Sequence, residues 1–216
     1  MNMSAYKWGA RFYDRFWRSF TIRTLDHIML TLDFKRLDDN SQEQPKCLLD
    51  IACGTGELEL RLNRLPFEIK IVGLDNSQEM LTQARRKLAG SQHQLAFVEG
   101  DATLPLPFLD ASFDVVVSAN ALHYIAHPNK FLQEAKRVLK PGGQLVIEDF
   151  TVHGHYFWPI FERLIRLFDP QLYKTYTLTE LSQVVKASGF TIRDIGSFKI
   201  DLLWRGMFVS AATLPV

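Results

Sequence analysis

Apolar residues along the chain fall into short solid runs alternating with segments of helical period. "KCLLDIA" (46–52) is a continuous apolar run of strand length, followed by a short helical pattern from Glu57 to Leu65 that stops before Pro66. "EIKIVGLD" (68–75) is a second strand, and Ser77 caps a helix over "SQEMLTQARRKLA" that ends at Gly90, with Met80, Leu81, Ala84 and Leu88 on its inner face. "QLAFVEGD" is a third strand, "FDVVVSA" a fourth and "QLVIEDF" a fifth, the last two separated by the helix "NKFLQEAKRVLK". Strands buried on both faces and alternating with helices predict an α/β, Rossmann-like, doubly wound sheet, mostly parallel.

The rhythm changes after Phe150. "YFWPIFERLIRLF" reads as an apolar helix, and "TLTELSQVVKASGF" as a helix started by Thr177 or Thr179 and stopped by Gly189. "TIRDIGSF" and "LLWRGMFVSAA" are two strands close enough to pair antiparallel at one sheet edge, which brings the expected count to seven. Before the sheet, the polar break "DDNSQEQP" sets apart an aromatic N-terminal segment. The chain thus divides into an N-terminal helical cap (1–40), a ligand-binding core (46–150) and a substrate-side tail with the strand pair (151–216), all one domain.

Composition narrows the classes. The chain has 216 residues, 47% of them hydrophobic, and a net charge of +1, which suits a single globular domain and not a nucleic-acid binder. No apolar run reaches membrane-spanning length and the N-terminus lacks a signal-peptide core, so a cytoplasmic location is expected. Cys47 and Cys53 form neither a disulfide framework nor a metal motif, and no metal is expected.

Candidate chemistry gathers at the strand ends. Asp50, Asp75 and Asp101 follow one another at steps of 25 and 26 residues, each about one strand-plus-helix unit. In an open parallel sheet those ends line one crevice. Gly54 and Gly56 permit positive φ and close approach of a ligand, and the helix behind them favours an anion. Asp75 lies 19 residues past Gly56, the spacing of an acid that accepts from both ribose hydroxyls. A dinucleotide would want a third glycine, and Glu59 stands there instead, a charged residue that argues against close helix–strand packing beside a pyrophosphate. S-adenosylmethionine needs no such room. Asp50 can serve its ammonium, the loop N–H groups its carboxylate, and Asp101 the adenine amine, with Ala102 and Asn76 against the ring. An NAD-dependent dehydrogenase is the rival enzyme reading, and a catalytically silent cofactor-binding scaffold the non-enzyme one.

"LLDIACGTGEL", "IVGLDNSQEML", "VEGDATLPLPF", "FDVVVSANALHYIAHP" and "VLKPGGQLVIEDF" resemble, in order, the motifs of class I S-adenosylmethionine-dependent methyltransferases over residues 46–150. The resemblance implies that Asp50, Gly54 and Gly56 form the first motif, that Asp75 is the ribose acid, that Asp101 and Ala102 flank the adenine, and that Asn120 sits near the reacting methyl. Ala52 departs from the glycine that many members carry. "FYD", "GDATLPLPF" and "RVLKPGG" are similar to the ubiquinone/menaquinone methyltransferases. His123, three residues past Asn120, is the candidate general base. His127 invites a metal pair with it, but no acid completes the set and Pro128 disturbs the turn. His153 and His155 follow the fifth strand and could face the substrate.

At the N-terminus, Trp8, Phe12, Phe16 and Phe20 recur at period four, with Lys7, Arg11, Arg15 and Arg18 beside them. This predicts a helix over the cofactor cleft, and residues 6–20 offer a basic-aromatic surface for peripheral membrane contact. With "HYFWPIF" (155–161) as a second aromatic wall, a small apolar or aromatic acceptor is expected.

Overall fold

The computed structural model describes residues 18–38, 45–151, 163, 166, 167, 169–201 and 204–214. Trp8, Phe12, Tyr13, Asp14 and Phe16, the histidines His153 and His155, and the segment "HYFWPIF" lie outside the described residues.

Seven strands form one sheet: β1 (Lys46–Ile51), β2 (Ile69–Asp75), β3 (Gln94–Glu99), β4 (Phe113–Ala119), β5 (Leu139–Thr151), β6 (Thr191–Lys199) and β7 (Arg205–Ala212). Their spatial order is β3-β2-β1-β4-β5-β7-β6. The first five are parallel, and β7 runs antiparallel to both β5 and β6. The expected terminal pair is present, with one refinement: of the two, β6 is the edge strand and β7 is not. β7 is inserted beside β5 and almost wholly buried, whereas β6 is largely exposed or half-buried.

The helices are α1 (Arg18–Thr31), α2 (Phe34–Leu37), α3 (Glu57–Leu62), α4 (Gln78–Lys87), α5 (Pro128–Val138) and α6 (Leu178–Ala187). Successive strand residues feed opposite layers, as the period of a strand requires. Leu49, Val116, Leu145 and Ile147 pack with Phe131 and Leu132 of α5 and Leu181 and Val185 of α6. Leu48, Val115, Val117 and Val146 pack with Leu25 and Ile28 of α1 and Leu58 and Leu62 of α3. In the described part of the N-terminal cap, α1 packs Leu25 and Ile28 against one face of the sheet. Most of α1 is a core helix on one face of the sheet, and only its first turns reach the strand ends.

Boundaries shift where local chemistry decides them. α3 stops at Leu62, short of the expected Leu65, and its cap Asn63 is held by Ser91 and Gln92 across the fold. Ser77 caps α4 by accepting from Met80 N, as expected. Thr177 starts α6 in a reciprocal capping box with Glu180. Pro128 opens α5 at its first position, where a missing N–H costs nothing, so it begins the helix and does not disturb a turn. Among the described residues, no helix is long and apolar enough to cross a membrane.

Candidate functional site

Because β1 to β4 are parallel and in register, their C-terminal ends open onto one edge of the sheet. A cavity of about 450 Å³ lies there, within the size range of small-molecule sites. Asp50, Gly54, Asp75, Asn76, Asp101, Ala102 and Asn120 all line it. Gly56 does not; it serves the wall from behind.

The loop after β1 owes its shape to alternating left-handed residues: Ala52 at φ 65°, Gly54 at 56° and Gly56 at 78°. Ala52 holds a left-handed conformation that costs an L-residue roughly 1–2 kcal/mol. The N–H groups of Ala52 and Cys53 both donate to Leu74 O, at 2.7 and 3.0 Å, and pin the bend to β2. A Cβ on Gly54 would meet nothing within 4 Å, whereas one on Gly56 would lie 3.0 Å from Ala84 Cβ of α4. Gly54 therefore lets backbone face the cavity openly, and Gly56 lets two helices approach.

Asp75 fastens the loop from the other side. Its Oδ2 accepts from Gly54 N and its Oδ1 from Ser77 N, each at 2.9 Å. Each oxygen keeps a second lone pair for a ligand hydroxyl. Burial raises the Asp75 carboxyl, against the pull of the Ser77, Gly54 and Asn76 N–H groups. Asp50, 3% exposed, is raised well above the usual carboxylate range by burial first, then by Glu59 and Asp75. Asp101 is more open, and its Oδ1 accepts from Thr103 N and Thr103 Oγ1 at 2.8 and 2.7 Å. Asn120 adopts φ 51°, a left-handed turn that asparagine tolerates, and donates through Nδ2 to Thr24 Oγ1 of α1 at 3.4 Å.

Glu59 differs from the expectation. It is fully buried in α3, and among the described residues no other residue donates to either of its oxygens, so that only its own backbone N–H eases the burial. The helix does pack closely on β2, because Gly73 leaves a notch for the acid. Its carboxyl is pushed up to about 8, mainly by burial, so near neutrality it packs as a neutral group.

His123, the candidate base, is held behind the cavity. It lies in the short 3-10 turn Leu122–Tyr124, 5% exposed, and is not part of the cavity wall. Its Nδ1 is 2.7 Å from Asp149 Oδ1, and its backbone N–H donates to Asp149 Oδ2 at 2.9 Å. Its ring packs against Phe150 at 4.7 Å, within a cluster where Phe150 and Trp204 meet edge to face. The neighbouring Tyr124 is the residue that reaches the cavity, and its hydroxyl donates to Asp169 Oδ2 at 2.5 Å. His127 is the exposed cap of α5. Among the described residues, no three His, Cys, Asp or Glu side chains are grouped to hold a metal ion.

Sequence reasoning missed Thr21 and Leu25 of α1, and Tyr124 and Gln171. A signal for the first two was present, since Thr21, Leu25, Ile28 and Leu32 recur at helical spacing. Gln171 carried none.

The cavity suits a cationic nucleoside. Three carboxyl-bearing residues can meet an ammonium, ribose hydroxyls and an adenine amine, and an open glycine backbone admits the tail. Cys53, on its wall, is no nucleophile, because burial drives its thiol far above the ordinary range.

The methyltransferase domain family matches residues 49–147. The demethylmenaquinone methyltransferase of Deinococcus radiodurans is 34% identical over 182 residues, a match covering 75% of this chain and 75% of that protein. The demethylmenaquinone methyltransferase of Thermus thermophilus is 42% identical over 109 residues, which spans 50% of this chain and only 49% of that relative. Among solved structures, a SAM-dependent methyltransferase from Aquifex aeolicus superposes with a TM-score of 0.63 at 22% identity, covering 78% of this chain and 82% of that one. The sheet order, the glycine bend and the long match to the Deinococcus protein agree, and the chain belongs to the class I S-adenosylmethionine-dependent methyltransferases.

Proposed function

We propose that this methyltransferase acts on a small, apolar, aromatic acceptor of the quinol type, with the cofactor seated across the ends of β1 to β4. The observation that carries the seating is that Asp50, Asp75 and Asp101, from three successive strand ends, line one cavity with Gly54. Asp50 receives the cofactor ammonium and Asp75 the ribose hydroxyls. Asp101, with Ala102 and Asn76, frames the adenine, and Asn120 stands by the sulfonium. Bound S-adenosylmethionine supplies an electrophilic methyl. The protein's task is then to align the acceptor and exclude water. Leu25, Ala119, Ala121 and Ile125 give that end of the cavity an apolar wall suited to an aromatic ring. The likeness to the demethylmenaquinone methyltransferases of Deinococcus and Thermus supports the quinol class.

Thermal melting tests the seating. S-adenosylhomocysteine at about a hundredfold over Kd should stabilise the protein by about 2.7 kcal/mol, and NAD should leave the melting point unchanged. Stabilisation by NAD alone would refute it. Methyl transfer to reduced demethylnaphthoquinones, and not to hydrophilic amines, checks the acceptor. Cofactor binding without transfer to any of a broad panel would favour the silent-scaffold reading.

A further inference from the structure

One buried charge-bearing group beside the cleft has no part in the assignment above. Glu59 lies on α3, one turn behind the glycine bend. A Cβ built on Gly73 would lie 2.6 Å from Glu59 Oε1 and 2.8 Å from Cys53 Sγ, so the carboxyl occupies the space that a side chain at 73 would fill. Gly73 pairs directly with Asp50 across the sheet. It also precedes Asp75 by two, so all three project from the same face. Glu59 therefore sits over the strands between the two acids assigned to the cofactor's amine and sugar, with no donor from another residue on either oxygen among the described residues.

We propose that Glu59 is a second acidic group of amine recognition that works through Asp50: in the free protein the Asp50–Glu59 pair keeps a proton, and seating of the cofactor ammonium on Asp50 expels it. This rests on the seating proposed above.

The electrostatics support the direction. Two buried carboxylates over neighbouring strands disfavour each other's ionisation in a dry site, so one keeps its proton and the pair titrates as a unit. A fixed cation against Asp50 removes that constraint. The surroundings offer no other full compensation. Facing Glu59 are Asp50 on β1, the Cys53 thiol on the bend and Asp75 on β2, and Glu57 adds negative charge from its own helix. Lys87 of α4 is the one cation among them; its ammonium donates to Glu57 Oε1 at 2.7 Å and to Thr55 Oγ1 at 2.9 Å. Phe97, which adjoins Gly73 from β3, is apolar. The proton balance is simple: the amine enters already protonated, and one proton leaves the pair for solvent.

Calorimetric titration with S-adenosylhomocysteine at pH 7, repeated in buffers of different ionisation enthalpy, counts the protons released. The wild type should release between one half and one proton per ligand. Its affinity should rise severalfold to tenfold from pH 6 to pH 7. Glu59→Gln should release clearly fewer protons and show a shallower pH profile over the same range. Binding by the wild type with no proton release overturns the proposal, as does equal release by Glu59→Gln. Should that variant fail to fold, the wild-type buffer series decides alone. Absence of any binding would bring down the seating itself, a result distinguishable from the other two.

Discussion

His123 is the residue whose placement bears most on its expected part as general base. Its position past the fourth strand was legible, but sequence cannot say which way a side chain in a three-residue turn points. The ring turns inward because Asp149, on β5, collects it. That carboxylate accepts from His123 N, from His123 Nδ1 and, at 2.8 Å, from Phe150 N. The backbone of His123 in turn accepts from Tyr173 N and Lys174 N at 2.9 and 3.1 Å, so the turn also anchors the chain entering α6. A brace of this kind predicts a particular failure. His123→Ala leaves Asp149 buried and short of one donor, and should lower stability by about 1–3 kcal/mol. Turnover per folded molecule should stay within a few-fold of wild type. Chemical denaturation alongside single-turnover rates separates the two effects, and a hundredfold loss of rate at unchanged stability would restore His123 as the base.

At the scale of elements, the site is a joint between β1 and β2. The acid–glycine pattern identified both strands, yet not that Asp75 itself closes the joint by accepting from Gly54 N. Asp75→Ala should therefore do more than remove two hydroxyl partners. It frees the Gly54 and Ser77 N–H groups and loosens the bend, so S-adenosylhomocysteine affinity should fall by one to a few kcal/mol, judged from the cost of unpaired polar groups. Asp75→Asn keeps one acceptor oxygen and should lose less. Calorimetric affinities of the two variants check the order; equal losses would mean that ligand contact alone matters. The terminal strands teach the same lesson. Their antiparallel pairing followed from a short connection. The insertion of β7 beside β5 was decided by burial: Met207, Val209 and Ala211 complete the core under α6, a place the more polar β6 could not take.

At the scale of the molecule, the cleft stores unfavourable charge. The Glu59 carboxyl, ordinarily near 4.5, is raised to about 8 in the folded protein, so the native state binds a proton that the unfolded chain has lost over that window. Its contribution to stability is present below pH 4.5 and disappears as pH rises toward 8, at a slope of about 1.4 kcal/mol per pH unit. Glu59→Gln loses this contribution to the slope. Relative to wild type, its stability should improve steadily from pH 5 to pH 8, reaching a gain of a few kcal/mol (order of magnitude from). Urea midpoints at the two pH values provide the comparison, and a constant difference would remove the buried-acid account. At the opposite end of the strands Asp114 faces similar burial but is compensated, accepting from Cys47 N at 2.9 Å and Lys140 Nζ at 2.8 Å. The contrast ties the unpaired acids to the ligand end of the sheet.

By itself the sequence determined the strand–helix alternation, the glycine bend and the three aspartates at successive strand ends. Those are local or periodic properties, set by burial on both faces and by backbone conformations that few residues accept. Tertiary structure alone decided which buried polar groups meet. It turned His123 to Asp149, brought α1 to the cavity edge and lodged Glu59 over Gly73. No spacing encodes those contacts, because each joins residues from separate strands and helices, and each depends on what the sheet packs between them.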